Sequence, residues 1–200
     1  MSEPLEPLLY LIGVNHAVQF KSVVSHIFGE SGSVYKKREA FKAHVAEVIN
    51  GLNLEILAEE FNDEAKRESE ARELAKTFAE KSHEPFEWQT ARQQFDWETE
   101  LQKFARTKGI EHRFCDPQSS EKEALGIEVD PRKEREADRR KREQVWLSRI
   151  ADCKGRRVLF VCGDDHYELF AQLLEQNGFN LRRGAHYSIS DEEFHSRDVG

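Results

Sequence analysis

Apolar residues along the chain fall into short continuous runs separated by amphipathic stripes, which predicts strands alternating with helices. Leu8 to Ile12 is an unbroken apolar run, the pattern of a strand covered on both faces in a parallel sheet. A helix is expected from near Lys37, because Phe41, Val45, Val48 and Ile49 recur at three- and four-residue spacing and Gly51 is placed to end it. Leu52 to Phe61 then reads as a second strand that closes on Glu59-Glu60.

Asn62 to Ser82 is Glu, Lys, Arg and Ala with little apolar content, which suits an exposed helix broken by Pro85. Trp97, Leu101 and Phe104 form one stripe of a further helix over about Gln89 to Thr107, ended by Lys108-Gly109. Ile110 to Cys115 is a short third strand stopping at Asp116-Pro117. Gln118 to Asp130 reads as a loop. A long charged helix follows, with Asp130 as cap, Pro131 in its first turn, and Val145, Trp146 and Ile150 giving its second half an apolar side before Gly155.

Val158 to Cys162 is the fourth strand, and Leu169, Phe170, Leu173 and Leu174 stripe a helix closed by Asn177-Gly178. A last strand over about Phe179 to Ile189 is interrupted by Arg182, Arg183 and Gly184, as suits an edge. Strands separated by helices favour parallel pairing. The expected fold is therefore α/β: one domain over residues 1–200, a mainly parallel sheet flanked by helices, and a helical insertion at 62–108 between strands two and three.

Composition narrows the function classes. Charged residues make up 34% of the 200 positions and the net charge is −8, which argues against nucleic acid as a general partner. Cys115, Cys153 and Cys162 have no CxxC spacing and are odd in number, so a cytoplasmic setting is expected rather than a disulfide framework. The run from Leu8 to Val14 is too short for a membrane span. There is no Gly-rich phosphate loop, GxSxG elbow or HExxH helix.

The chemistry gathers at the strand ends. The first and fourth strands finish on the same frame, Gly13-Val14-Asn15-His16 and Gly163-Asp164-Asp165-His166; the second ends on Glu59-Glu60 and the third on Asp116. In a parallel sheet these groups share the carboxyl edge, where ligands bind. Glu59 and Glu60 point to opposite sides of their strand, so one is expected to be solvated. Asp164 and Asp165 also read as caps of the helix at His166, and Asp116 before Pro117 as a turn starter. Arg142 stands out from the basic run around it because Trp146 and Ile150 follow at four-residue steps. His26, His44, His83, His112, His186 and His195 show no ligand spacing.

The paired GxxH frames, the carboxylates of strand two, the segment from Gly109-Ile110 to Asp116 and Arg142-x3-Trp146-x3-Ile150 resemble the Tiki/TraB superfamily of metallohydrolases, with ChaN-like and erythromycin-esterase-like proteins as more distant relatives. The likeness covers most of the chain outside about Asn62 to Glu87. It departs from the family at Val14, where threonine is common, and in the acidic Gly-Asp-Asp-His frame. The resemblance implies that His16 and His166 belong to the site, with Glu59 or Glu60 as ligand or base and Asp116 and Arg142 nearby.

The expected function is a metal-dependent hydrolase of amide, ester or peptide bonds. His16, His166 and Glu60, with Asp164 and Asp165, would hold a divalent zinc, manganese or iron ion, while Glu59, Glu60, Asp116 and Arg142 supply catalytic groups. Its partner would be a small-molecule or peptide substrate, with self-association left open. Two alternatives stand beside it: a non-catalytic ligand- or haem-binding protein, and an interaction module with a decayed site.

Overall fold

The computed structural model describes residues 5–19, 32–62, 98–129 and 133–187. In chain order these form β1 (Leu8–Val14), α1 (His16–Gln19), α2 (Gly32–Leu52), β2 (Ile56–Glu59), α3 (Glu100–Lys108), β3 (Glu111–Phe114) and α4 (Ser119–Ala124). They continue with α5 (Glu136–Arg149), β4 (Arg157–Gly163), α6 (Tyr167–Gln176) and β5 (Leu181–Tyr187). All strand pairings are parallel, in the order β3-β2-β4-β1-β5, so the expected α/β class with a parallel sheet is what the chain forms.

Strand side chains alternate between two apolar layers. Leu9, Leu11, Ile56, Ala58, Val158, Phe160 and Cys162 face the first layer, where Trp146 and Ile150 at the end of α5 and Phe170 and Leu174 of α6 cover them. Ile12, Val14, Leu57, Leu159 and Val161 face the second, covered by Val18 of α1, Phe41 and Val45 of α2, and Leu101 and Ala105 of α3. Burial on both faces is why the central strands read as continuous apolar runs. No described helix is long and apolar enough to cross a membrane.

Several element boundaries differ from expectation. Helix α2 starts at Gly32 and runs through Gly51 to Leu52. Its end falls at Asn53, whose φ of 47° is left-handed, a conformation asparagine tolerates better than most residues. Strand β2 is correspondingly shorter than 52–61. The expected loop after Gln118 contains α4, and α5 begins at Glu136 after Arg135. Asp130 and Pro131, its expected cap and first turn, lie outside the described residues, as do residues 63–97 of the expected helical insertion.

At the rest of that insertion the local signals are clear. Thr99 caps α3 by accepting from Gln102 N (3.1 Å), while Thr99 N donates to Gln102 Oε1 (2.9 Å), a reciprocal capping box. Asn62 is not the start of an exposed helix. It is buried, and its amide donates to Pro117 O at 2.8 Å.

Strand β5 is an edge strand beside β1, as its interrupted pattern suggested, and the register shifts between Leu11 and Gly13. Gly184 lies at that irregularity against β1. A Cβ there would sit 2.8 Å from Leu11 O and inside the Tyr10 ring. The ring can move, but the backbone oxygen cannot. Gly184→Ala is therefore expected to cost about 1–3 kcal/mol of stability, read as a lower urea midpoint with unchanged slope. An unchanged midpoint would show that the strand gives way without penalty.

Candidate functional site

The end of β2 carries two buried carboxylates on opposite faces of the sheet. Both are almost fully excluded from solvent, so the expectation that one would be solvated is corrected. Each has its own set of hydrogen-bond donors.

On the first face, Glu60, Asp116, Arg142 and His166 come together as the sequence suggested. Arg142 is the centre. Its Nη2 donates to Glu60 Oε1, its Nε to Asp116 Oδ1 and its Nη1 to Glu134 Oε1, each at 2.7 Å. Glu60 Oε2 accepts from Gly163 N at 2.5 Å. Asp116 further accepts from Trp146 Nε1 (3.1 Å) and pairs with Lys122 Nζ (2.8 Å).

Burial opposes the charge on Arg142, but Glu60, Asp116 and Glu134 outweigh it and hold the guanidinium protonated. Burial likewise pushes the Asp116 carboxyl up. Arg142 and Lys122 more than offset this and hold it below the usual carboxylate range.

His166 is buried beside this cluster, with its ring edge-on to Trp146 at 4.8 Å between centroids. Its Nδ1 lies 2.8 Å from Glu143 Oε1, which places a proton on Nδ1, because a carboxylate can only accept. Its Nε2 faces Arg142 Nη1 at 3.4 Å and Glu60 Oε1 at 3.5 Å. Both nitrogens are engaged by the protein.

On the second face, Glu59 is wholly buried. Its Oε2 accepts from Gln19 Nε2 at 2.7 Å; its Oε1 lies 2.7 Å from His112 Nε2 and accepts from the Thr99 hydroxyl. The proton on His112 Nε2 is thereby assigned, and a neutral ring carries its lone pair on Nδ1. That nitrogen has no hydrogen-bond partner among the described residues, and the side chain is 15% exposed. Gln19 Oε1 is also buried without a hydrogen-bond partner among the described residues, and exchanging its O and N would turn an oxygen onto the carboxylate.

The two GxxH frames are out of step in the strand register. Gly13 pairs with Cys162 and Val14 with Gly163, so the frames are offset by one residue, and a one-residue offset reverses the face. After β4 the chain passes to the first layer with His166 and Tyr167. After β1 it passes to the second, where Val18 packs and Gln19 bonds Glu59. His16 is the first residue of α1, and its side chain lies outside the described set.

Of the residues expected to hold a divalent ion, the described ones, Glu60, Asp164, Asp165 and His166, do not fit one in this arrangement. Glu60, Asp116 and His166 already turn their donor atoms to the Arg142 guanidinium, which occupies the position a cation would need. Asp164 and Asp165 form a short turn before His166, and the Asp165 side chain is 75% exposed, 3.8 Å from Arg139. Among the described residues no group of three or more His, Cys, Asp or Glu side chains is placed to bind a metal. The cysteines add no nucleophile, since burial pushes the Cys115 thiol up to about 12 and Cys153 up to about 11.

Sequence reasoning missed Glu143, Glu134, Gln19, Thr99 and His112. Glu143 had a usable signal: it precedes Trp146 by three positions, on the same side of α5. His112 had none, because its partner depends on the β2–β3 register, in which it opposes Leu57 and reaches Glu59 diagonally. Comparison with known proteins returns no match: no family model, no curated protein and no solved structure is significantly similar to the chain. The Tiki/TraB likeness therefore rests on its motifs, and the fold itself defines a five-stranded parallel α/β protein with its polar groups at the carboxyl rim.

Proposed function

We propose that this protein is a hydrolase of amide, ester or peptide bonds in which His112, positioned by Glu59 at the carboxyl end of β2, is the group that moves the proton. The observation that carries the reading is the asymmetry between the two imidazoles. The buried Glu59 engages only one nitrogen of His112 and leaves the other uncommitted on a partly exposed ring, whereas both nitrogens of His166 are occupied.

In this mechanism His112 Nδ1 takes a proton from the water that attacks the carbonyl carbon. Glu59 holds the ring in the required tautomer and stabilises the imidazolium that results. The same proton is returned to the leaving nitrogen or oxygen as the bond breaks. No step passes through a metal ion.

Hydrolysis of p-nitrophenyl esters and peptide p-nitroanilides by wild type, His112→Ala and His166→Ala, with and without a chelator, tests this. His112→Ala is expected to lose roughly 100-fold or more in kcat/KM, as removal of a general base does. Wild type should be indifferent to the chelator. Full activity in His112→Ala, loss of activity on chelation, or no hydrolysis of any substrate by wild type would each end the proposal.

A further inference from the structure

The Glu59 carboxylate must be held in one orientation before it can hold His112, and its own strand does not do this. Glu59 is the last residue of β2, and a carboxylate turns about a terminal torsion whose preferences are broad. Its rotamer leaves the direction of Oε1 open. The direction is set by donors from three other elements: Gln19 Nε2 on Oε2 at 2.7 Å, and His112 Nε2 at 2.7 Å together with the Thr99 hydroxyl on Oε1.

These donors are unequal. The His112 ring is the group being positioned, so its bond cannot also be the fixed point, and Gln19 is a long side chain at the end of the four-residue α1. Thr99 is the rigid one. It is fully buried, and its branched Cβ restricts χ1. Its backbone is tied into α3, with Thr99 N donating to Gln102 Oε1 at 2.9 Å and Thr99 O accepting from Lys103 N at 3.1 Å. Leu101 and Ala105 in turn pack α3 into the second apolar layer. The Thr99 hydroxyl accepts from Gln102 N at 3.1 Å and has a single proton, which goes to Glu59 because a carboxylate only accepts.

We propose that Thr99 is a positioning residue of the Glu59–His112 pair: the N-cap of α3 sets the plane of the Glu59 carboxylate, and through it the tautomer and direction of the His112 ring. This role rests on the reading of His112 as the group that moves the proton. It gives one hydroxyl two tasks, closing the first turn of α3 and aligning the base. Without the hydroxyl the carboxylate can turn, the His112 Nε2–H loses a fixed partner, and Nδ1 no longer faces the attacking water in a constant direction. Such misalignment costs turnover rather than substrate affinity.

Three variants of the full chain test this. Thr99→Val keeps the branched shape and removes the hydroxyl, Thr99→Ser keeps the hydroxyl, and Gln102→Ala opens the capping box without touching a bond to Glu59. On p-nitrophenyl esters Thr99→Val is expected to lose about tenfold in kcat at nearly constant KM, with Thr99→Ser and Gln102→Ala within about twofold of wild type. In isotope-labelled protein the His112 Nε2–H proton resonance should be visible in wild type, Thr99→Ser and Gln102→Ala, and lost to exchange with water in Thr99→Val. Wild type should also show a cross-peak between that proton and the Thr99 hydroxyl proton, since both converge on Oε1. That measurement needs no variant and decides the matter even where Thr99→Val does not fold. Unchanged kcat and resonance in Thr99→Val, equal losses in Gln102→Ala, or no cross-peak in wild type would overturn the assignment. If wild type turns over no substrate, the hydrolase reading ends, while the resonance and the cross-peak still decide the role of Thr99.

Discussion

Arg142→Met is expected to cost about 3–5 kcal/mol of folding stability at neutral pH, the usual consequence of removing one partner from a buried charge network. The residue is 13% exposed and each of its three nitrogens meets a different carboxylate at 2.7 Å. Methionine fills a similar volume but leaves Glu60 and Asp116 without their main countercharge. The loss is therefore electrostatic rather than a cavity effect, and pairing the change with Glu60→Gln and Asp116→Asn should recover part of it.

The same network sets a pH dependence. Asp116 has a folded-state pKa held below its ordinary value, so its contribution is complete above the unfolded pKa of about 4 and is lost as pH falls through the depressed folded value. Urea denaturation of wild type and Arg142→Met at pH 7 and under acid conditions reads both effects. The gap between the two proteins should narrow on acidification, since protonated carboxyls no longer need the guanidinium. A gap under about 1 kcal/mol at pH 7 would mean that Arg142 is a bystander.

This role for Arg142 was half visible in the sequence. Its four-residue steps to Trp146 and Ile150 placed it on the buried side of α5, and the strand-end carboxylates signalled a need for positive charge. A metal and an arginine answer that need equally well on paper; only the distances separate them. The core strands were legible because burial on both faces leaves unbroken apolar runs. The alternation of Glu59 and Glu60 was legible for the same geometric reason, since it follows from the two-residue period of any strand.

Register between strands far apart in the chain was not legible. The one-residue offset between Gly13 and Gly163 decides which face each GxxH frame turns toward, and no local pattern records it. The β2–β3 pairing hid His112 in the same way, because an imidazole on an edge strand acquires its partner only when the neighbouring strand is placed beside it. Asn53 was a different case: a turn residue took the helix end that Gly51 was expected to make, since the apolar face of α2 still had Leu52 to place.

Trp146→Ala is expected to be as damaging as the loss of Arg142, but by another route. The indole is fully buried, packs edge-on against Phe170 at 5.3 Å and His166 at 4.8 Å, and lies 5.5 Å below the Arg142 guanidinium. Truncation of a buried tryptophan removes about 3–5 kcal/mol through lost contact and the cavity left behind. Trp146→Phe separates the two parts of its role. It keeps an aromatic ring among Phe160, Phe170 and His166 but deletes the Nε1–H that donates to Asp116 Oδ1, so a smaller loss, about 1–2 kcal/mol from the hydrogen bond, should remain. If both variants unfold at the same urea concentration, the N–H rather than the ring is what ties α5 to the rim; if Trp146→Phe matches wild type, Arg142, Lys122 and the Asn62 amide hold Asp116 without the indole.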